Sequence, residues 1–505
     1  MKSKILKSTI IVLGCSIAAK LLAFVWEAIM AASFGASDQA DAFYMTTSIF
    51  NILYPILDLG IWKVFLPIYK TKMVQESEER LHKLANVGVS FFFCLSVALV
   101  LFLIVMAKPL TWLIASGFSP EKQTMTIEYL RWSAPTYLLM ASASVIGAIL
   151  QCHGRFFGSQ LRELGTHISK ILFVLLCYRY LGIYAAVLAM IVGSIFRLLI
   201  QLPFINWNWR FSPDFRFKDP AVRQMVRGLP SVSLTAAISH INGLVDKIIA
   251  SGAVNGAVAC LNYGHRLMNV FSGMISTAIA TSTYPTIVQY IAEDKKDHLK
   301  ELLSNIINVL SYFIVPISIF CICFAEDLVT VAFQRGAFDQ SAAILTGDIF
   351  AGYCIGMLFI GLSTIISNVY YGYGDTGITM RLSLLGIFLN IVFNLWFCRM
   401  WDVVGLAVAT SVSSAICFFV SLAVIKKYIV LDYRYISLEL VKIVIISVIA
   451  VVSAFFLLRY LGNLYLRVLG SLLCSVSVYL VLSWLFRLSA MSFALTLVRK
   501  KARRK

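Results

Sequence analysis

Two charges stand where an apolar segment should carry none. Between Ser8 and Phe34 the chain runs almost without polar interruption, yet it places Lys20 near the middle and Glu27 seven residues later. About 20 apolar residues cross the hydrocarbon core of a bilayer, so Lys20 falls at mid-depth. An ammonium there costs roughly 2.5–3.5 kcal/mol on insertion scales, and such residues ordinarily face a bundle interior or a water-filled cavity. A spacing of seven puts Lys20 and Glu27 on one helix face, two turns apart. A buried ion pair or a snorkelling lysine is the plainer alternative, but snorkelling is difficult from mid-helix. The spacing predicts a polar cavity lined by this face.

Arg266 is the second deep cation, about ten residues into a later apolar segment and roughly 15 Å from its start at 1.5 Å per residue. Its planar fork suits phosphate or carboxylate, and the Lys20 ammonium offers a point charge, so the pair suits an anionic head group. The structural alternative is that Arg266 caps carbonyls or pairs with an acid within the bundle. The acidic candidates are Asp41, Asp58 and Asp246. Asp41 and Asp246 lie toward outer ends, where solvation or helix capping explains them as well as function does. Asp58 is deeper and is flanked by Pro55 and Gly60, which predict a kinked or unwound stretch. Lys63 and Arg197 sit toward inner ends, and Arg131 and Lys247 toward outer ends, where snorkelling accounts for them. Lys170 and His240 are nearer mid-span.

The elements that position these charges are membrane helices. The 505 residues are 60% apolar and 13% charged, with a mean hydropathy of +0.84, far outside the soluble globular range. The fold class is an all-α polytopic membrane protein with about fourteen transmembrane helices. They are predicted at 8–34, 43–68, 84–107, 126–151, 160–180, 181–205, 229–250, 256–290, 303–325, 343–371, 376–398, 402–425, 438–458 and 463–486. With the N-terminus inside, inner segments carry 29 Lys and Arg and outer segments 7, so both termini are predicted to be cytoplasmic. The net charge of +18 then reflects topology and attraction to anionic membrane lipids, and nucleic acid is not indicated. The eleven cysteines are odd in number, lie mainly within spans and form no CxxC pair, so neither a disulfide framework nor a metal site is indicated. The basic start resembles a signal peptide, but the apolar run is too long and lacks a cleavage site, so it reads as a retained anchor.

Turns recur at a near-constant offset. Gly35 and Gly252 are 217 apart, Pro67 and Pro285 are 218 apart, Ile146–Gly154 and Ile366–Gly374 match at 220, and so do Ala189–Ser194 and Ala409–Ser414. A duplicated six-helix unit follows. Six is even, so the two copies share an orientation about an axis along the membrane normal. The predicted organisation is an N-terminal lobe over 1–205, an amphipathic cytoplasmic linker over 206–228, a pseudo-symmetric second lobe over 229–427, two extra helices within 428–487, and a basic cytoplasmic tail over 488–505. No P-loop, GxSxG or HExxH is present and the longest loop is too short to fold alone, so no enzyme is indicated.

Five stretches, in order along the chain, resemble the MurJ/MviN family of lipid II flippases, within the superfamily of multidrug, oligosaccharidyl-lipid and polysaccharide exporters. They are Phe34–Phe43, Leu261–Leu267, Gln334–Phe338, Tyr370–Thr376 and Gly405–Ser411. The resemblance implies two lobes around a cationic cavity in a bacterial inner membrane. It also implies a groove at helices thirteen and fourteen for a polyprenyl tail, and alternating access that carries a lipid-linked glycan precursor to the outer leaflet for peptidoglycan synthesis. It carries functional roles to Lys20, where an Arg is usual, to Glu27, Asp41 and Arg266, and the residues themselves add Asp58 to this substrate-binding set. No cofactor is implied beyond a coupling cation or the membrane potential; cell-wall synthesis enzymes are the expected partners. Trp26 stands where the family usually has a second Arg, and Tyr54 and Pro55 where some members carry an Arg pair. A cation-coupled multidrug exporter of the same fold is the alternative transporter, although it should prefer acidic cavity residues. An inactive member scaffolding envelope synthesis is the alternative from another class.

Overall fold

Helices α1 (Lys2–Phe34) and α2 (Asp38–Gly60) begin the chain in the computed structural model. It describes residues 2–205, 209–216, 219–458 and 461–491, and the side chains of these apart from 2–13, 231 and 234–239. The side chains of Lys2, Lys4 and Lys7, and the basic tail from 492 onward, lie outside the described residues. Beyond Gly60 the backbone widens into a π-helical turn, Ile61–Phe65, before α3 (Leu66–Gln75), so the irregularity expected around Pro55 and Gly60 takes the form of a bulge one turn later. Next come α4 (Glu78–Ile114), α5 (Pro120–Ser133), α6 (Thr136–Cys152), α7 (Phe156–Leu181), α8 (Tyr184–Leu199) and α9 (Pro220–Ala250). The remainder is α10 (Ala257–Ala292), α11 (Lys296–Cys323), α12 (Ala325–Phe333), α13 (Gln340–Gly372), α14 (Thr376–Ile425), α15 (Tyr433–Leu458) and α16 (Leu464–Leu485).

The helix starts follow side-chain caps that the sequence supplies. Ser37 Oγ accepts from Ala40 N at 3.2 Å, Asp339 Oδ1 from Ala342 N at 2.8 Å, and Asn463 Oδ1 from Tyr465 N at 3.0 Å, each satisfying an orphan donor of the first turn. Although α14 runs for 50 residues, it breaks at Trp401 and Asp402, where φ reaches −131° and +50°. Asn390 Nδ2 donates to Thr410 Oγ1 at 3.1 Å, a contact twenty residues apart that a straight helix would hold about 30 Å apart. The chain therefore doubles back here, at the break expected between 398 and 402. Each of the fourteen predicted spans lies largely in helix, and ten helical stretches among the described residues are long and apolar enough to cross a membrane.

Two compact units result, residues 1–259 and 260–505. The repeat assigns residues 229–250 to the second lobe, whereas α9 packs in the first unit against α2 and α4. Small residues permit this approach: a Cβ on Gly60 would lie 2.4 Å from Leu229 Cδ2, and one on Gly228 would lie 2.9 Å from Val64 Cγ1. The predicted start at 229 is also late. Asp219 Oδ1 caps Ala221 N at 2.8 Å and Pro220 takes the first helical position, so the helix begins nine residues earlier. Ile61, Phe65, Tyr69, Leu81, Phe92 and Val145 centre an apolar core in the first unit. In the second unit Tyr312, Ile443, Ile446, Ala450, Tyr479 and Leu488 bind α15 and α16 to α11.

Candidate functional site

Lys20 lies on the exposed stripe of α1 with Ile17 and Leu21, whereas Glu27 is 4% exposed and accepts from Tyr44 Oη at 2.7 Å. The two were expected to line a single face of one cavity. The structure distinguishes them by burial: Glu27 is buried and bonded to Tyr44 of α2, whereas Lys20 lies on the exposed side of the same helix. Beside Glu27, the buried Trp26 ring carries the Lys170 ammonium of α7 at 4.0 Å from its centroid, a desolvated cation–π contact worth up to about 2 kcal/mol. A Cβ on Gly193 of α8 would approach the Lys170 Cγ to 2.7 Å, so the glycine makes room for the lysine stem.

Asp41 is 1% exposed. Its carboxylate accepts from the backbone N–H of Gly256 at 2.8 Å and Ala259 at 2.9 Å, at the start of α10, and from Lys122 Nζ at 2.9 Å. Lys122 also stands 2.8 Å from Asp38 and 3.3 Å from Asn255 Oδ1. Asp41 is thus a cap, for a helix other than its own, with the helix dipole and a buried ammonium holding the negative charge. Lys122 carried no sequence signal beyond its place two residues after Pro120.

Asp58 occupies the centre of a network that joins α2, α6, α7 and α8. Its Oδ1 accepts from Ser144 Oγ at 2.6 Å, Tyr54 Oη at 2.8 Å and Trp62 Nε1 at 3.3 Å, with Arg162 Nη1 at 3.7 Å. Arg162 donates to Ser144 Oγ at 3.1 Å and stacks 4.6 Å from the Trp62 ring. Arg197 donates to Tyr54 Oη at 3.0 Å and pairs with Glu163 Oε1 at 3.0 Å. Two guanidinium groups and two carboxylates balance inside the lobe, as buried charges must. The snorkelling expected of Arg197 does not occur. Its side chain is 3% exposed, because Glu163 and Tyr54 meet it within reach of α8. Arg162 and Glu163 are not among the candidate residues read from the sequence. At Trp26 and Tyr54, where the resemblance leads one to expect arginine, an aromatic side chain instead receives a cation from α7 or α8.

Arg266 belongs to the second unit. It is exposed on α10 together with His265 and Asn269, a polar patch that a helix turned toward lipid would not present. Behind the opposite, buried side of this helix, Phe271 joins Phe313, Pro316, Ala450, Leu472 and Leu480 around a cavity of about 220 Å³ set among α10, α11, α15 and α16. Its walls are almost wholly apolar.

Residues 30–475 match the family model described as lipid II flippase MurJ. Among similar proteins, the probable lipid II flippase MurJ of Buchnera aphidicola subsp. Baizongia pistaciae is 24% identical over 421 residues, covering 82% of each chain. That of Vibrio cholerae is 25% identical over 433 residues, covering 82% of this chain and 81% of its own. Among solved structures, a lipid II flippase MurJ in an inward closed conformation superposes with a TM-score of 0.80 at 20% identity, covering 94% of this chain and 98% of the other. An inward-facing multidrug transporter of the MATE family gives a TM-score of 0.67 at 13% identity, covering 84% and 95%.

Proposed function

The chain belongs to the lipid II flippase MurJ family, and from that premise we propose that it moves lipid II, or a closely related polyprenyl-diphosphate glycan, from the inner to the outer leaflet of the bacterial cell membrane by alternating access. The family match over 30–475 carries the reading. No covalent chemistry is required, because the substrate leaves as it entered and only its leaflet changes. What the protein must supply is a cationic place for the diphosphate, an apolar place for the tail, and a means of exchanging access.

Arg266 in the second unit and Lys20 in the first each offer a cation of the kind the first need calls for. A diphosphate spreads its charge over several oxygens, which a guanidinium fork engages two at a time and an ammonium engages as a point. Both stand on exposed helix faces. The Lys170 ammonium presented to Trp26 keeps positive charge at the level where the resemblance leads one to expect arginine on α1, which favours retention of an anionic head group; Arg197, buried and paired with Glu163, is already balanced. The apolar cavity among α10, α11, α15 and α16 serves the tail, which meets there surroundings as apolar as the lipid it leaves. Helices α15 and α16 follow the repeated unit, consistent with an addition that serves the lipid. Deep cations argue against a cation-coupled multidrug exporter, whose substrates would meet repulsion there.

In this reading both termini are cytoplasmic, a coupling cation or the membrane potential drives the cycle, and the product is handed to cell-wall synthesis enzymes on the outer face. The test is complementation: a strain depleted of its own lipid II flippase should grow when this chain is supplied and lyse when it is not. Failure to rescue at normal protein level in the membrane would overturn the lipid II assignment.

A further inference from the structure

On the side of the membrane where the basic residues concentrate, the first unit carries a cleft of about 800 Å³ between the α3–α4 turn, the linker and the first turn of α9. Lys72, Arg80, Lys83 and Arg216 form its rim, against two carboxylates, Glu76 and Asp219. The cleft is built rather than incidental. Trp209 Nε1 donates to Asn86 Oδ1 at 2.9 Å, Asn86 Nδ2 to the Arg210 carbonyl at 3.5 Å, and Asp214 N to Ser90 Oγ at 2.9 Å. These three bonds strap the linker onto α4 and fix one wall. The α9 side ends at Asp219, whose carboxylate is engaged at the start of that helix.

Two of the rim cations are held loosely. Lys72 pairs with Glu76 and Lys83 with Glu79 four residues away, with lysine side chains 38% and 52% exposed, and exposed pairs of this kind are the weakest class of ion pair and exchange readily for a stronger anion. Arg216, 66% exposed, is held more firmly by its fork on Asp214 and keeps its outer face toward the rim. Among the described residues no carboxylate pairs with Arg80. Below the rim, Leu84, Val87, Ala221 and the Phe215 ring make an apolar floor, and Phe211 and Phe215, four residues apart on the linker, are both exposed. A soluble anion would satisfy the rim and waste the floor. A phospholipid satisfies both, with its phosphate among the cations and its glycerol and upper chain on the apolar surface, the aromatic rings lying at the interface.

We propose that this cleft binds the phosphate of an anionic membrane phospholipid and so anchors the linker to the leaflet. The proposal goes beyond the transport reading and does not depend on it, because its test contains no transport step. The full chain in neutral detergent is titrated with phosphatidylglycerol, and lipid retention is read by native mass spectrometry beside phosphatidylcholine and inorganic phosphate. The wild type should retain phosphatidylglycerol in preference to phosphatidylcholine, and a tenfold excess of inorganic phosphate should not displace it. Arg80→Gln/Lys83→Gln/Arg216→Gln should weaken retention at least tenfold. Lys295→Gln/Lys296→Gln/Lys300→Gln, which removes the same charge from the second unit, should change it by less than twofold. Equal retention by the first triple variant, equal loss in the second, or displacement by phosphate would each overturn the proposal. Should the first triple variant fold poorly, Arg80→Gln alone decides: it breaks no ion pair and should weaken retention about threefold, and an unchanged affinity would overturn the site.

Discussion

Arg197 separates the buried network from a solvated charge at a helix end. Replacing it with methionine keeps the stem and removes the guanidinium, leaving Glu163 without its 3.0 Å partner and Tyr54 without the 3.0 Å donor to its hydroxyl. Removing one partner of a fully buried pair costs about 3–5 kcal/mol. Glu163 is 37% exposed, so water recovers part of its solvation, and the expected cost is about 2–3 kcal/mol. Arg197→Met/Glu163→Gln removes both charges and should recover all but about 1 kcal/mol, since the carboxylate left with only the more distant Arg162, at 3.6 Å, is the main penalty. Glu163→Gln alone strands the more deeply buried guanidinium and should cost at least as much as Arg197→Met. Unfolding free energies from denaturant titration in micelles, for the wild type, both single variants and the double variant, give the coupling directly. A cost below about 0.5 kcal/mol for Arg197→Met, with additive single variants, would show that the guanidinium reaches water and would refute the network.

Lys20→Ala should abolish complementation and Lys20→Arg should retain most of it, because a point charge at mid-depth is what α1 supplies; normal growth of the Ala variant at normal protein level would disprove this. Val476→Trp, from the wall of the apolar cavity, should lower lipid turnover severalfold at unchanged protein level. Leu473→Trp, exposed on the same helix away from that cavity, should not, and equal effects would remove the cavity from the tail path. Gly256→Ala should destabilise by about 1–3 kcal/mol, since φ is +81° and the new Cβ would meet the Ala36 carbonyl oxygen at 2.3 Å. Gly154→Ala, at φ +75° in open space, should lose only about 1 kcal/mol, and similar thermal midpoints for the two would refute the role of that close approach.

Hydropathy made the helices legible, and the break near residue 401 and the bulge after Gly60 were legible from local signals. The start of α9 was missed because Arg223 and Arg227 made 220–228 too polar to read as span, although Asp219-Pro220 is a helix-start signal of its own. The repeat and the packing divide the chain at different places: sequence offsets report ancestry, whereas α9 packs where Gly60 and Gly228 let it approach α2. The candidate site was legible one helix at a time. Depth singled out Lys20, Arg266 and Asp58, but helical spacing could not say which positions of the α1 face would be buried, and so it joined the buried Glu27 to the exposed Lys20. Arg197 and Tyr54 are 143 residues apart, and no periodicity within α2 or α8 reports that their polar positions meet. Aromatic residues at 26 and 54 looked like lost cations because the cations that reach them come from α7 and α8.

The central claim is that Arg266 contacts the diphosphate of a lipid-linked glycan during its transfer. Cells depleted of their own lipid II flippase and supplied with the wild type, Arg266→Lys or Arg266→Ala are compared for membrane protein level and for the fraction of lipid II exposed on the outer face. The wild type should restore outer-face lipid II. Arg266→Ala should abolish it at wild-type protein level, and Arg266→Lys should restore little, having lost the fork. Outer-face lipid II restored equally by Arg266→Ala, or its absence with the wild type present at normal level, would contradict the claim.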